Sequence, residues 1–568
     1  MVQACHELAC MDSNDKGGMS KSSIARLDSP SLIGKIVLVI ALALLAAPQL
    51  WYPLGFDQGV YAACGDVIRR GGVPIRDCFE TKQPGVMVMY AIPMLFTLAP
   101  MAIHTFTLLW TALTAIVIGK VAGRMLGARA AYPAAIFYWL IYAGINYWSM
   151  DQAETFANLF LVVALFSVWQ AGEVGSSGQQ SHLNERQPTR STTNRRRVFW
   201  LALGGVCCGM AFWFKYVFAL IAVALAVCLL LHVWLRTHTW RTALGSVFVF
   251  GVAALAVAGL GLICFALNNA LPALISQFQF LLVEFPLGPP HTLPQIASEL
   301  ARFFNNGADV SGDFKATVPQ WIVLGGGFPL LLILAVIGAW QCARHIPIVY
   351  VYLVAYFVSA AAVVVWQANY IQYHYTTMIP AFVLLASAPD FRFNPRLRVA
   401  FIPAALLVAA VVLLAVRMLP WVADMAQNVA LQRKIPREIY LESRVAPNVP
   451  VAEYIASHTS PNDTIAIFGD ASWVYTLADR RNATRFPFIN LWLRDRDAVT
   501  YPLFIGQYLA GLQRNQPIYF IITKANFPWQ NNDYIPDYEA SSEIRNYIES
   551  HYAYEGDVGP FLLFKRKP

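Results

Sequence analysis

Between Leu32 and Pro420 the chain returns repeatedly to apolar runs of membrane-crossing length, and beyond Pro420 it does not. A helix that crosses the hydrocarbon core of a bilayer needs roughly 17 to 25 predominantly apolar residues. Runs of this kind cover 33–50, 102–123, 130–148, 153–170, 198–214, 216–235, 242–267, 319–340, 347–366, 371–389 and 399–419. They predict a polytopic α-helical membrane protein of about eleven spans. Composition agrees, because only 13% of the 568 residues are charged, about half the share of roughly 25% usual in soluble domains. The formal net charge of +8 is modest, and no nucleic-acid partner is expected.

Where the positive charges sit gives an orientation. Arg124 with Arg129, Arg186 through Arg197, Arg236 with Arg241, Arg344, and Arg392 with Arg396 and Arg398 fall in alternate connections. The positive-inside rule makes these connections cytoplasmic. The first connection, 51–101, is then extracytoplasmic, as are Met150 to Gln152, the loop from Asn268 to Pro319, and 421–568. The proline-broken apolar stretch 84–100 must not cross fully for this to hold, so it is expected to lie along or dip into the outer leaflet.

Around a bundle spanning 32–420 the chain divides further. The tail 1–31 has no apolar periodicity, and the insert 171–197 is rich in Ser, Gln, Thr and Arg; both are expected to be disordered and cytoplasmic. From about Val445 the pattern reads as an extracytoplasmic α/β domain: a helix over 451–458, strands over 464–468, 518–523 and 560–564, and a helix over 541–552. Cys64 and Cys78 share the first external loop, in a compartment that permits a disulfide; their pairing depends on a geometry the sequence does not carry.

The first connection also carries chemistry. Phe56-Asp57-Gln58-Gly59-Val60-Tyr61 follows the first apolar run, then Gly71-Gly72-Val73-Pro74-Ile75-Arg76-Asp77, then Glu80-Thr81-Lys82-Gln83-Pro84-Gly85. An acid at a membrane surface, with a lysine and an arginine in the same loop, is costly unless it is paired, solvated or put to use. A second acidic motif, Met150-Asp151-Gln152-Ala153-Glu154-Thr155, opens a later span. Asp151 and Glu154 stand three apart, so on a helix they would share a face; Asp151 could equally serve as an N-terminal cap.

The run from Phe56 to Gly85 resembles the first external loop of the GT-C membrane glycosyltransferases, in the branch of protein O-mannosyltransferases and lipid A aminoarabinose transferases. Members of that branch carry Asp-(Glu or Gln)-Gly-x-Tyr, then Gly-Gly-x-Pro-x-Arg-Asp, then a stretch ending in Lys-x-Pro-Gly or Lys-Pro. The second acidic motif is similar to the family's acid at the outer start of a later span. The resemblance implies a GT-C type bundle and an inverting transfer of a hexosyl or pentosyl group from a polyprenyl-phosphate donor to a glycan, lipid or protein acceptor. It also puts the reaction on the outer face; the lack of an organellar retention signal, together with this architecture, fits a bacterial inner membrane.

On that reading Asp57 is the candidate base that relieves the acceptor of its proton, with Glu154 and Asp151 as further catalytic acids. Lys82 matches the family lysine on the donor phosphate, and Arg76 and Lys215 are further phosphate candidates. Tyr61, Gln372, His374 and Tyr375 are candidate substrate contacts, the last three in a polar, aromatic cluster that also holds Gln367, Asn369 and Tyr373. No cofactor is certain; a divalent cation held by Asp57, Asp151 and Glu154 is an open expectation, since carboxylates suit hard metals. The competing reading is a transporter or flippase for a polyprenyl-linked sugar or small molecule. Internal repeats and mid-depth acids would mark one, and neither is evident in the sequence.

Overall fold

The computed structural model describes residues 32–145, 148–174, 190–284, 292–306, 327–368, 370–389, 401–443, 445–489, 493, 496–524 and 533–568. The tail 1–31, residues 175–189 of the insert, Asn369, the stretches 285–291 and 307–326, which include the start of the span expected at 319–340, and 390–400 lie outside them. Contacts divide the chain into two units, Met1–Leu44 and Leu45–Pro568. The described part of the first is the start of helix α1 (Leu32–Ala46).

The second unit opens with α2 (Phe56–Arg69), α3 (Pro84–Met94), α4 (Pro100–Met125), α5 (Ala131–Ala143), α6 (Ala153–Glu173), α7 (Arg190–Phe212), α8 (Ala219–Thr237) and α9 (Trp240–Leu267). Prolines stand in the first turns of α3 and α4, where a missing N–H costs nothing and the fixed φ suits a helix start. At 11 residues α3 reaches roughly 16 Å at 1.5 Å per residue, about half of the hydrocarbon thickness.

Among the described residues eight helices are long and apolar enough to cross a membrane, from Ile33–Trp51 to Ala405–Leu431. The other three expected spans form helices that do not meet that measure. α5 has only 13 residues. α7 starts within an Arg-rich stretch. The run 371–389 breaks into a 3-10 turn at Gln372–Thr377 and a helix at Ile379–Ser387, because its first half is polar and aromatic rather than apolar. The flanks of the insert are helical too: α6 runs to Glu173 and α7 starts at Arg190, so the expected bounds 171–197 were too wide.

α6 packs against α4, α7 and α8 and is the most enclosed of the eight crossing helices, with 67% of its apolar window buried. A polar residue on such a helix must find a partner. Asn158 does so by donating to Tyr138 Oη at 3.2 Å and to the Thr376 carbonyl at 3.0 Å, which ties the 3-10 turn at 372–377 to α6.

The C-terminal part holds a mixed five-stranded sheet in the order β2-β1-β3-β5-β4. Its strands are β1 (Thr464–Phe468), β2 (Arg481–Asn482), β3 (Tyr519–Thr523), β4 (Tyr552–Val558) and β5 (Phe561–Arg566). β1 runs parallel to β2 and β3, while β5 is antiparallel to β3 and β4. Helices at Asn448–His458 and Ser542–His551 match the expected ones closely. The edge strands β2 and β4 were not expected, because one is two residues long and the other is largely exposed, so neither shows the apolar signal of a buried strand.

This sheet region packs directly on the first connection. The rings of Phe56 and Phe488 meet edge to face at 5.3 Å, and Phe79 sits among Phe280, Phe486 and Phe504. Cys64 on α2 and Cys78 are joined by a disulfide, which closes the Gly71–Asp77 turn onto α2.

Candidate active site

Asp57 lies in the first turn of α2, where the helix dipole favours a negative charge. The turn is held from behind: Gln58 donates from Nε2 to the Met150 carbonyl at 2.7 Å, and Tyr61 donates to Gln152 Oε1 at 3.1 Å. These two bonds fasten the first acidic motif to the second. Gly55, which precedes the helix, has Trp148 so close that a Cβ would come within 2.5 Å of its ring.

Lys82 comes from the arm between the disulfide and α3. The arm is fixed at both ends: Gln277 Nε2 donates to the carbonyls of Glu80 and Lys82 at 2.5 and 3.0 Å, and Gly85 N donates to the Trp213 carbonyl at 2.8 Å. A Cβ on Gly85 would stand 2.6 Å from that same oxygen, so only glycine permits this approach.

These supports bring five charged side chains together. Asp57 Oδ2 accepts from Lys82 Nζ at 3.4 Å and from Tyr373 Oη at 2.8 Å. Lys82 Nζ also lies 3.8 Å from Glu80 Oε1, which accepts from Thr81 Oγ1 and from the Lys82 backbone N–H. Lys215 Nζ pairs with Glu154 and donates to Gln367 Oε1 at 2.7 Å. The Tyr373 ring lies near both ammonium groups, with its centroid 6.0 Å from Lys82 Nζ and 5.4 Å from Lys215 Nζ. Tyr61 offers a second ring face to Lys82 at 5.8 Å, within cation–π range.

The electrostatics follow from burial and pairing. Burial opposes the charge on Lys82, but Asp57, Glu80 and Glu154 outweigh it and hold the ammonium above its ordinary value. Burial pushes the Glu80 carboxyl up; Lys82 pulls it back, and the charge on Asp57 adds to the rise. Asp57 and Lys82 keep partial access to solvent, with side chains 21% and 17% exposed, whereas Glu154 and Lys215 are buried. The arrangement thus offers a reachable cation and a reachable carboxylate on a buried polar floor.

Of the expected residues, Asp57, Tyr61, Lys82, Glu154 and Lys215 converge here. Asp151 does not. Its carboxylate is fully buried and bonds His104 Nδ1 at 2.6 Å, while His104 Nε2 bonds the Tyr52 carbonyl at 2.9 Å. Asp151 and Glu154 share no helical face, because α6 starts only at Ala153 and Asp151 precedes it in the left-handed region at φ 58°, which aspartate tolerates. The expected cation set of Asp57, Asp151 and Glu154 therefore has no common centre, and among the described residues no three metal-ligating side chains converge.

Arg76 also points elsewhere, pairing with Asp77 at 2.6 Å and donating to the Asn268 carbonyl at 2.6 Å. Tyr375 donates to the Glu299 carbonyl at 3.1 Å, and Gln372 is half-exposed on the 3-10 turn. His374 is buried edge-on to Tyr373 at 4.6 Å between centroids. Glu80 and Tyr373 were not among the expected site residues. Glu80 stands two residues before Lys82 in the same motif, and Tyr373 belongs to the cluster from which its neighbours were chosen.

The chain matches no family model and no curated protein. Among solved structures it aligns with ArnT from Cupriavidus metallidurans bound to undecaprenyl phosphate, with a TM-score of 0.53 and 15% identity over 94% of this chain and 98% of that one. The apo state of the same protein gives a TM-score of 0.56 at the same identity and coverage. The Archaeoglobus fulgidus oligosaccharyltransferase in its apo form aligns at a TM-score of 0.45 and 11% identity over 86% of this chain and 69% of that one. The fold is that of the GT-C membrane glycosyltransferases. It is similar to the fold of ArnT, a lipid A aminoarabinose transferase.

Proposed function

We propose that the protein is an inverting glycosyltransferase of the bacterial inner membrane. It moves a sugar from a polyprenyl-phosphate donor to a hydroxyl or amine of a cell-envelope glycan, lipid or protein on the outer face. The observation that carries this reading is the contact of Lys82 with Asp57, a reachable cation beside a reachable carboxylate. The ArnT structure that shares the fold holds undecaprenyl phosphate, which supports a donor of that class.

In the proposed reaction Lys82 takes the donor phosphate and Asp57 takes the acceptor's proton. The acceptor oxygen or nitrogen bonds to the anomeric carbon as the bond from that carbon to the phosphate oxygen breaks. The electron pair leaves with the phosphate, where fixed cations stabilise the developing charge. Tyr61 and Tyr373 supply ring faces to the same pocket, and Lys215 with Glu154 forms its wall.

A strain lacking the protein tests the reading. Mass analysis of its envelope should show one sugar substituent lost and the corresponding lipid-linked sugar accumulating. Unchanged glycans and an unchanged donor pool would count against it. Sidedness is tested separately: cysteines placed beside Asp57 and in the C-terminal sheet region should react with an impermeant thiol reagent from outside, and one placed between residues 175 and 189 should not.

A further inference from the structure

At the far end of α2 from Asp57 lies a cleft of about 490 Å³ between the Gly71–Asp77 turn and the C-terminal sheet region. Arg70, which caps α2, stands thirteen positions after Asp57, a distance of roughly 20 Å at 1.5 Å per residue. Six arginines line the cleft, Arg70, Arg76, Arg480, Arg481, Arg485 and Arg514, against two aspartates, Asp66 and Asp77.

The partners of these arginines show where the excess charge resides. Arg70 is neutralised by Asp66 and Asp479, and Arg76 by Asp77. Arg480 donates to Thr459 Oγ1 and to the carbonyls of Ala456, Thr459, Ala478 and Asp479; these bonds fix its guanidinium but cancel no charge. Arg485 donates to Gln507 Oε1 at 2.9 Å and to the Ile75 carbonyl at 2.6 Å, and its buried Nε has no hydrogen-bond partner among the described residues. Burial pushes the Arg485 guanidinium down to about 10, with Asp77 opposing that fall. Arg481 is exposed and donates to the Asn462 carbonyl at 3.2 Å. Arg514 is exposed, and its side chain makes no hydrogen bond or ion pair among the described residues.

Like charges gathered in a partly buried cleft are unfavourable without a counter-anion. Guanidinium forks match phosphate oxygens two at a time. The volume falls in the range of roughly 300 to 1,000 Å³ usual for small-molecule sites, larger than a lone ion needs. We propose that this cleft binds a phosphorylated ligand, its phosphate held by Arg481, Arg485 and Arg514, at a site separate from Lys82. The proposal does not depend on the transferase reading. The disulfide between Cys64 and Cys78 anchors the turn that carries Arg76 and Asp77, and so keeps one wall of the cleft in place.

The test uses the full chain in detergent, carrying Lys82→Ala so that the pocket at Asp57 contributes little, titrated calorimetrically with inorganic pyrophosphate. Saturable binding is expected, weakened at least tenfold by adding Arg481→Gln and Arg514→Gln. Both side chains are exposed, so a normal thermal transition should accompany the loss. The pair Arg481→Lys and Arg514→Lys, which keeps charge without the fork, should fall between. Repeating the titration in nanodiscs with and without phosphatidic acid separates the sources of phosphate. Competition by the anionic lipid assigns the cleft to a lipid headgroup, and its absence assigns the cleft to a soluble phosphorylated ligand. No saturable binding in the Lys82→Ala protein, or equal affinity after the arginine substitutions, would overturn the proposal.

Discussion

Lys82 Nζ stands 3.4 Å from Asp57 Oδ2, across 25 residues of sequence. In this resting arrangement the cation proposed for the donor phosphate and the carboxylate proposed for the acceptor proton satisfy each other. An arriving phosphate must compete with Asp57 for Lys82, and its success frees the carboxylate. In the proposed reaction, donor binding and activation of the base are therefore coupled through one ion pair.

That coupling gives Asp57→Asn two effects of opposite direction. Transfer should fall by roughly 10²- to 10⁴-fold, the usual worth of a positioned general base. Donor affinity should rise several-fold, because the neutral amide no longer competes for Lys82. Donor titration and single-turnover transfer on the same preparation check both; an unchanged rate would remove Asp57 from the base role.

Glu80 should make donor binding pH-dependent. Burial above all, with the nearby Asp57 charge adding to it, raises the Glu80 carboxyl, while Lys82 works against that rise. Below its folded pKa Glu80 is neutral; as pH climbs through that value it gains a negative charge beside Lys82, and donor affinity should fall. Stability follows the same sign: the contribution of the protonated acid is present below its unfolded pKa and lost as pH rises through the folded one. Glu80→Gln should abolish this limb, leaving affinity at high pH about fivefold above that of the native protein, equivalent to roughly 1 kcal/mol. Binding curves at stepped pH for the two proteins check it.

Asp151 is expected to behave as a structural residue. With His104 it forms a buried pair whose far side is anchored on the Tyr52 carbonyl. Asp151→Ala leaves His104 without that partner and should cost roughly 3 kcal/mol or more, seen as a lower unfolding temperature and poorer yield. The folded fraction should retain donor affinity within about twofold. Normal stability combined with lost transfer would return Asp151 to the catalytic machinery.

The disulfide should matter to the arm as well as to overall stability. Closing a loop of this length is worth about 3 kcal/mol in the chain-entropy account, so Cys64→Ser should lower the unfolding temperature. Because Lys82 follows Cys78 by four residues, donor affinity should weaken too. Thermal unfolding and donor titration with and without reductant check this.

Local chemistry was legible in the sequence wherever neighbours in the chain are neighbours in space. The acid of α2, the lysine of the arm and the buried strands β1 and β3 announced themselves through motif or apolar pattern. Contacts that depend on tertiary placement did not. Nothing local to Tyr373 shows that its hydroxyl reaches Asp57, 316 residues away. Asp151 reads like Glu154 in the sequence, but its left-handed backbone turns it out of the helix and toward His104. The arginines of the second cleft come from two distant stretches of chain, each unremarkable alone. The apolar run expected over 371–389 is not one helix, because its polar first half forms the turn at Gln372–Thr377.

Lys82 is proposed to hold the phosphate of a polyprenyl-linked sugar beside Asp57. The most direct test is the equilibrium titration of purified, folded protein with a polyprenyl-phosphate sugar, comparing the native chain with Lys82→Ala and Lys82→Arg. The account predicts at least tenfold weaker binding for Lys82→Ala, with Lys82→Arg between the two because the charge survives while the geometry changes. Donor affinity and turnover in Lys82→Ala equal to those of the native chain would contradict it.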